Sequence, residues 1–293
     1  MAITGTGTID DPFLVHSYDE IKTAAGSHTG TNDMYYIKLM NDIDCNDYGV
    51  DFEWETILLG NGSSYISQRL YNDLDLNGHT IKNIIIKSNN ILFSCDNITA
   101  NVHDGKLLNI FGGGANCFSN NIFYSHVSIS TNMSGQSTTS CFRGTTHFNA
   151  CAVYCICSTA LTRFMENHEC KNSDFYIEMR GGYSDRFILT GTVDGCRWQG
   201  YVKSNTQTIG WYNTVVKNSI INMEYEYPFE ESHGTWDEFI EYKSGSYNNI
   251  ENSDKTKRRS DTTGVITRVN SNQLKDANYL TNTVGFIVVD ISE

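Results

Sequence analysis

Hydrophobic and polar positions alternate over short runs, and the runs return at a steady interval. In YYIKLMNDIDC, Tyr36, Lys38 and Met40 alternate with Ile37, Leu39 and Asn41, which is strand spacing with one face more apolar than the other. From about residue 73 a pair of apolar or small residues five positions apart recurs: Ile81/Ile86, Val102/Leu107, Ile122/Val127, Ala150/Cys155, Cys170/Phe175, Cys196/Tyr201 and Val216/Ile221. Most steps between successive pairs are 20 or 21 residues; the two longer ones hold STNMSGQSTTS and MRGGYSDRF, expected as projecting loops around Ser134–Ser140 and Gly181–Asp185. Asn83, Asn172 and Asn218 share one place in this pattern, where an amide side chain tolerates positive φ and can bond to its neighbour in a stack.

A period near 20 residues with short strands and Asn/Gly turns predicts a solenoid. The fixed Leu/Asn spacing of leucine-rich repeats is missing, so the expected architecture is all-β, a right-handed parallel β-helix. The expected division is a lead-in over 1–72, the β-helix over 73–225 and a cap over 226–293. Ser17-Tyr18-Asp19-Glu20 reads as a capping box, Glu20 reaching back to the Ser17 amide, before a short helix through IKTAA. After residue 226 the repeat is expected to stop, and the end to supply a strand, a short helix capped by Ser271 and a last strand, GFIVV, that together cover the solenoid's edge. Ile86, Leu107, Val127, Phe175 and Ile221 are expected to point inward in successive coils.

Composition narrows the partners. The 293 residues carry a formal charge of −13, which repels phosphate, so nucleic acid is not an expected partner. Charged residues are only 19%, against 30 Asn and 2 Pro, so the polarity comes from uncharged turn-forming groups. No run is long and apolar enough to span a bilayer, so no membrane is expected. MAITGTGTIDDPFLV lacks the basic head and apolar core of a signal peptide. The nine cysteines are therefore expected as free thiols, folded in a reducing cytoplasm.

DLDLNGHTIKNIIIK, residues 73–87, resembles the first coil of pectate-lyase-like parallel β-helix proteins. GTGTIDDPFLVHSYDEI followed by YYIKLMNDID is similar to the segment preceding such helices in bacterial surface proteins and in phage tail and head-fibre proteins. The resemblance covers roughly residues 4–47 and 73–225. It implies a phage virion component, a fibre, spike or decoration made in the host cytoplasm. Such a protein would partner other virion proteins, bind a host surface glycan and assemble as a homotrimer. The abundance of Tyr and the few charges on the coils favour such an assembly. A polysaccharide depolymerase and a purely architectural component share the fold.

The coils read as poor in acids (Asp104, Glu166, Glu169, Asp174, Glu178, Asp185 and Asp194), with no adjacent or alternating Asp pair, so no catalytic residue and no cofactor is assigned. Sugar contact is assigned to an acidic aromatic segment, Trp236, Asp237 and Glu238, with Trp198 and Trp211, because aromatic faces take sugar C–H groups and carboxylates take hydroxyls. Asp42, Asp44, Asn46 and Glu53 follow calcium-loop spacing, but Asp47 stands where that loop needs Gly, and no metal is assigned. Cys151, Cys155 and Cys157 read as core thiols, Lys255–Arg259 as a charged loop. His103, His126, His147 and His168 recur at 21–23 residues without sharing a place in the coil.

Overall fold

The computed structural model describes residues 3–26, 34–61, 71–87, 90–96, 99–112, 116–118, 121–133, 138–142, 144–205, 211–226, 240–242, 244, 246–252, 255 and 266–276. They form a parallel β-solenoid of about seven turns.

Three stacks of parallel strands make its sides. The first runs through Phe13–Val15, Tyr36–Leu39, Tyr71–Asp75, then residues 99–103, 122–125, 146–149, 168–171, 191–194 and 214–217. The second runs from Ile43–Asp44 and Thr80–Ile86 through residues 106–112, 128–133, 152–157, 174–179, 197–204 and 220–226. The third side is made by Ile57–Asn61 with Phe93–Asp96 and, further along, by Asn116–Phe118, Thr138–Phe142, residues 161–166, 183–189 and 211–212, and Ile240–Tyr242. Parallel pairing is not confined to 73–225: Asn249–Asn252 and Ile266–Val269 extend the second stack. The GFIVV segment lies outside the described residues.

Single residues turn the corners. Between the first and second stacks each coil has one residue, or a short run, with positive φ: Asn77, Asp104, His126, Ala150, Asn172, Gly195, Asn218 and Asn248. That conformation is open to Gly and, at lower cost than for other residues, to Asn and Asp. It explains why Asn172 and Asn218 sit where the pattern placed them. The corner side chains also bond along the axis: Asn248 Nδ2 donates to Asn218 Oδ1 at 2.8 Å, and Asn218 Nδ2 to Asp194 Oδ1 at 2.8 Å. The next residue is small and inward, and its ladder alternates Cys151, Ser173, Cys196 and Ser219. The Cys151 amide donates to Ser173 Oγ and the Cys196 amide to Ser219 Oγ, each at 3.1 Å.

The core is a set of axial ladders. Ile37, Leu74, Val102, Tyr124, Phe148, Cys170, Val193 and Val216 stack in the first. Ile43, Ile81, Leu107, Ile129, Val153, Phe175, Trp198 and Ile221 stack in the second. All are buried. The five expected core residues are buried, but only Leu107, Phe175 and Ile221 share a ladder. Ile86 pairs with Gly112 and Val127 with Gly105. The five-residue step itself is constant across the corner, in Val102/Leu107, Tyr124/Ile129, Phe148/Val153, Cys170/Phe175, Val193/Trp198 and Val216/Ile221. Three of these were read two or three residues away because aromatic side chains fill one of their two places.

The two expected loops are corrected as well. Thr138–Phe142 and residues 183–189 are third-stack strands, and residues 134–137 lie outside the described residues. Phe118, Phe142, Phe164 and Phe187 fill that side, with Phe118–Phe142 centroids 4.6 Å apart and Phe164–Phe187 5.0 Å apart.

The helix Tyr18–Gly26 covers the N-terminal edge, burying Tyr18, Ile21, Ala24 and Ala25. Tyr18 packs against Phe52 and Trp54 at 5.1 and 4.6 Å. Half of the expected capping box forms: the Glu20 amide donates to Ser17 Oγ at 3.2 Å. The Glu20 carboxylate reaches instead to the His16 amide at 2.7 Å. At the other end the helix Ser271–Leu274 is capped by Asn270, not Ser271, with Gln273 completing a capping box.

Candidate functional site

Of the sequence-assigned sugar residues, the structure describes Trp198 and Trp211. Trp198 and Trp211 are wholly buried. Trp198 lies flat on Phe175 at 4.0 Å and meets Trp211 edge-on at 4.9 Å, so neither ring can receive a ligand. Their ladder positions, under Phe175 and Ile188, face the core. Trp236, Asp237 and Glu238 lie outside the described residues.

Two outer faces carry the chemistry instead. On the first stack, Asp73 and Asp75 project outward from one strand, an alternating Asp pair that the sequence reading passed over in DLDLNG. One coil along, His103 sits between them and the corner residue Asp104. His103 Nε2 is 2.8 Å from Asp73 Oδ2, and its Nδ1 is 2.8 Å from Asp104 Oδ2. Both ring nitrogens face carboxylate oxygens, so both donate and the ring is an imidazolium. The Asp73 bond above all raises its pKa to about 9. The carboxylates have further partners: Asp73 accepts from Asn101 Nδ2 at 3.2 Å, and Asp75 from the Asn77 amide at 2.6 Å with Lys38 Nζ at 3.3 Å.

Asp75, His103 and Asp104 offer three ligand atoms within 4.8 Å of one another. As it stands His103 donates through both ring nitrogens, so a cation held here would have to displace a ring proton. Asp73 and Asp75 are both engaged by donors. The arrangement is a clamp between two coils. The expected calcium-spaced residues also serve structure: Asp44 caps the turn Cys45–Tyr48, and Asp42 accepts from the Thr80 amide at 2.9 Å. The four histidines form no ladder, since His103 and His147 face outward, His126 turns a corner and His168 is inside. Cys151, Cys155 and Cys157 are buried, and burial pushes the Cys151 and Cys157 thiols up to about 11.

The outer face of the second stack is different. One ladder reads Ser130, Tyr154, Tyr176, Gln199, Asn222; the other reads Ile85, Phe111, Asn132, Ile156, Glu178, Tyr201, Glu224. Tyr154 and Tyr176, 44 and 37% exposed, adjoin in the first ladder; Ile85 and Phe111, 43 and 40% exposed, adjoin in the second, with Ser130 and Asn132 on the coil between. The Tyr154 and Tyr176 rings are parallel within 5° and 5.0 Å apart. Coplanar rings side by side would overlap at that distance, so the two stack face to face. They present edges and hydroxyls outward, and the outer faces of the pair look along the ladder toward Ser130 and Gln199. The Tyr176 hydroxyl donates to Glu178 Oε1 at 2.7 Å, and Arg180 Nη2 donates to Glu178 Oε2 at 2.5 Å. These donors hold the Glu178 carboxyl below its usual range. The face thus combines aromatic surface with oriented, uncharged amides and hydroxyls.

No protein-family model matches the chain, and no curated protein matches it. A solved structure from Bacteroides ovatus, described as a "putative immunoglobulin A1 protease", aligns with 99% of this chain and 95% of its own, at 12% identity and a TM-score of 0.43. A likeness that distant carries no argument about activity.

Proposed function

We propose that the protein is a structural, surface-exposed solenoid that binds carbohydrate on the outer face of its second stack. The observation carrying this reading is the exposed Tyr154–Tyr176 pair, set in a ladder of Ser, Gln and Asn. Aromatic rings take the C–H faces of sugars, while amides and hydroxyls exchange hydrogen bonds with their hydroxyl groups. Rigid strands place these groups at a fixed axial repeat of about 4.8 Å, which suits an extended chain better than a single small ligand. The virion setting, as a fibre, spike or decoration of a phage, is supported by the resemblance of residues 4–47 and 73–225 to such proteins. Threefold assembly is proposed on the same ground.

Binding is tested by affinity electrophoresis in gels containing host surface polysaccharide. The expected result is retardation that the double substitution Tyr154→Ala, Tyr176→Ala abolishes; unchanged retardation of that variant overturns the assignment of the face. Release of oligosaccharides on incubation would replace binding by depolymerisation. Immunogold labelling of phage particles tests the setting, and light scattering tests the assembly, where a mass near 33.0 kDa rejects the trimer.

A further inference from the structure

We infer that the ligand of this face is an uncharged polysaccharide, and that chains bearing carboxylate or sulfate groups are refused. The inference rests on the binding reading above and adds the chemical class. It follows from how the charges around the tyrosines are already spent. The ladder Ser130, Tyr154, Tyr176, Gln199, Asn222 holds no ionisable group except the two phenols.

Among the described residues of second-stack coils 152–157, 174–180, 197–204 and 220–226, each cation answers to a carboxylate of the protein, while Lys106 lies further along the same face. Arg180 is held by Glu178 at 2.5 Å. Arg197 makes a two-pronged pair with Asp174, its Nε and Nη2 at 2.8 and 2.6 Å from the two carboxylate oxygens. Lys203 lies 3.3 Å from Glu226, which also accepts the Tyr201 hydroxyl. Glu224 adds a further negative charge beside Tyr201 in the outer ladder.

An anionic sugar would have to displace one of these carboxylates from its partner. It would do so against the field of a chain with a formal charge of −13. A neutral chain meets no such barrier. Its hydroxyls can use Gln199 and the tyrosine hydroxyls, and its C–H faces can cover the tyrosine pair from either end. The carboxylates beside the tyrosines are thus a selectivity device as well as ion-pair partners: they leave hydrogen-bond acceptors in place and engage the described cations of the four coils that carry the tyrosines, Gln199 and Asn222.

The test runs the whole chain through affinity gels containing neutral polysaccharides (a glucan, a galactomannan) or acidic ones (polygalacturonate, hyaluronate), at low and physiological salt. The expected result is retardation by at least one neutral polymer, weakened ten-fold or more in the Tyr154→Ala, Tyr176→Ala protein, and none by the acidic polymers at either salt. The variant Glu178→Gln, Glu224→Gln, which frees Arg180 and lowers the negative field, should gain retardation by polygalacturonate. Thermal unfolding checks that both variants remain folded. Tyrosine-dependent binding of an acidic polymer to the unaltered protein overturns the class and leaves the binding reading intact. Absence of retardation by both sets, with the protein folded, overturns the binding reading and the class with it.

Discussion

His103 and His168 lie on opposite sides of the same sheet and are held in opposite protonation states. His103 faces out, with carboxylates against both nitrogens, and its pKa is raised to about 9. His168 faces in, wholly enclosed between Thr146 and Gly191 in its ladder, and neither ring nitrogen has a hydrogen-bond partner among the described residues. Burial pushes it down to about 3. Gly191 makes room for it: a Cβ there would lie 2.4 Å from the His168 carbonyl oxygen and 2.7 Å from the ring. The strand pleat alone decides which residue meets ions and which meets hydrocarbon, and one residue type becomes a cation or a neutral filler accordingly.

The contrast can be broken most forcefully from the inside. Phe148→Ala empties a ladder place between Tyr124 and Cys170, and should cost about 3–5 kcal/mol in urea unfolding. A loss below about 1 kcal/mol would mean the interior is not packed as described.

The next effect is a pH slope. His168 has a folded pKa below its free value of about 6.5. The unfolded chain therefore takes up a proton that the folded chain refuses, and stability falls as pH drops from about 6.5 toward 3. From pH 6.5 to 5 this one group costs about 2 kcal/mol at most. His168→Leu should flatten that part of the profile; an unchanged slope would place the acid sensitivity elsewhere.

His103 has the opposite sign. Its folded pKa lies above the free value, so its contribution is complete below about pH 6.5 and is lost as pH rises through about 9. His103→Gln should cost about 1–2 kcal/mol at pH 6, as charge-assisted bonds do, and progressively less toward pH 10. The cost at pH 6 and at pH 10, measured by denaturant midpoint, gives the comparison directly. The smallest effect belongs to Lys171, exposed and 2.6 Å from Glu169 on the same outer face. Lys171→Ala should change stability by less than about 1 kcal/mol and be screened by salt.

Much of the solenoid was legible because its corner is strict. A left-handed residue followed by a small one leaves a trace in Asn172-Ser173, Gly195-Cys196 and Asn218-Ser219, and the five-residue step survives in every central coil. The register slipped where Tyr124, Phe148 and Trp198 hold core places, because an aromatic among polar residues gives no sign of which side it faces. Two stretches bordering third-stack strands read as loops for a related reason: STNMSGQSTTS and MRGGYSDRF are rich in Gly, Ser and Thr, and axial pairing overrides that local preference. For the site, sequence pointed to tryptophans because they suit sugars, but large rings also fill cores, and only the ladder separates the two uses. Tyr154 and Tyr176 are 22 residues apart, one coil, yet nothing within either segment announces that they meet. Asp73-Leu74-Asp75 is legible as an alternating pair at the start of the first coil.

The constancy of that corner has a consequence for how the gene can change length. In the central coils the ladder residues of the first stack are 102, 124, 148, 170, 193 and 216, so a coil takes 22–24 residues while the step across the corner stays at five. The variation falls after the corner, in the extra residue of the second-stack strand near Asn109 and in the return through the third side. One codon added at the first corner would move each following second-stack side chain of that coil from core to surface, because the pleat repeats every two residues. One codon added on the return would lengthen a turn and leave both ladders in place. Tolerated insertions and deletions should therefore cluster on one edge of the rod, and a library of single-residue insertions across one coil should survive there and fail at the corner.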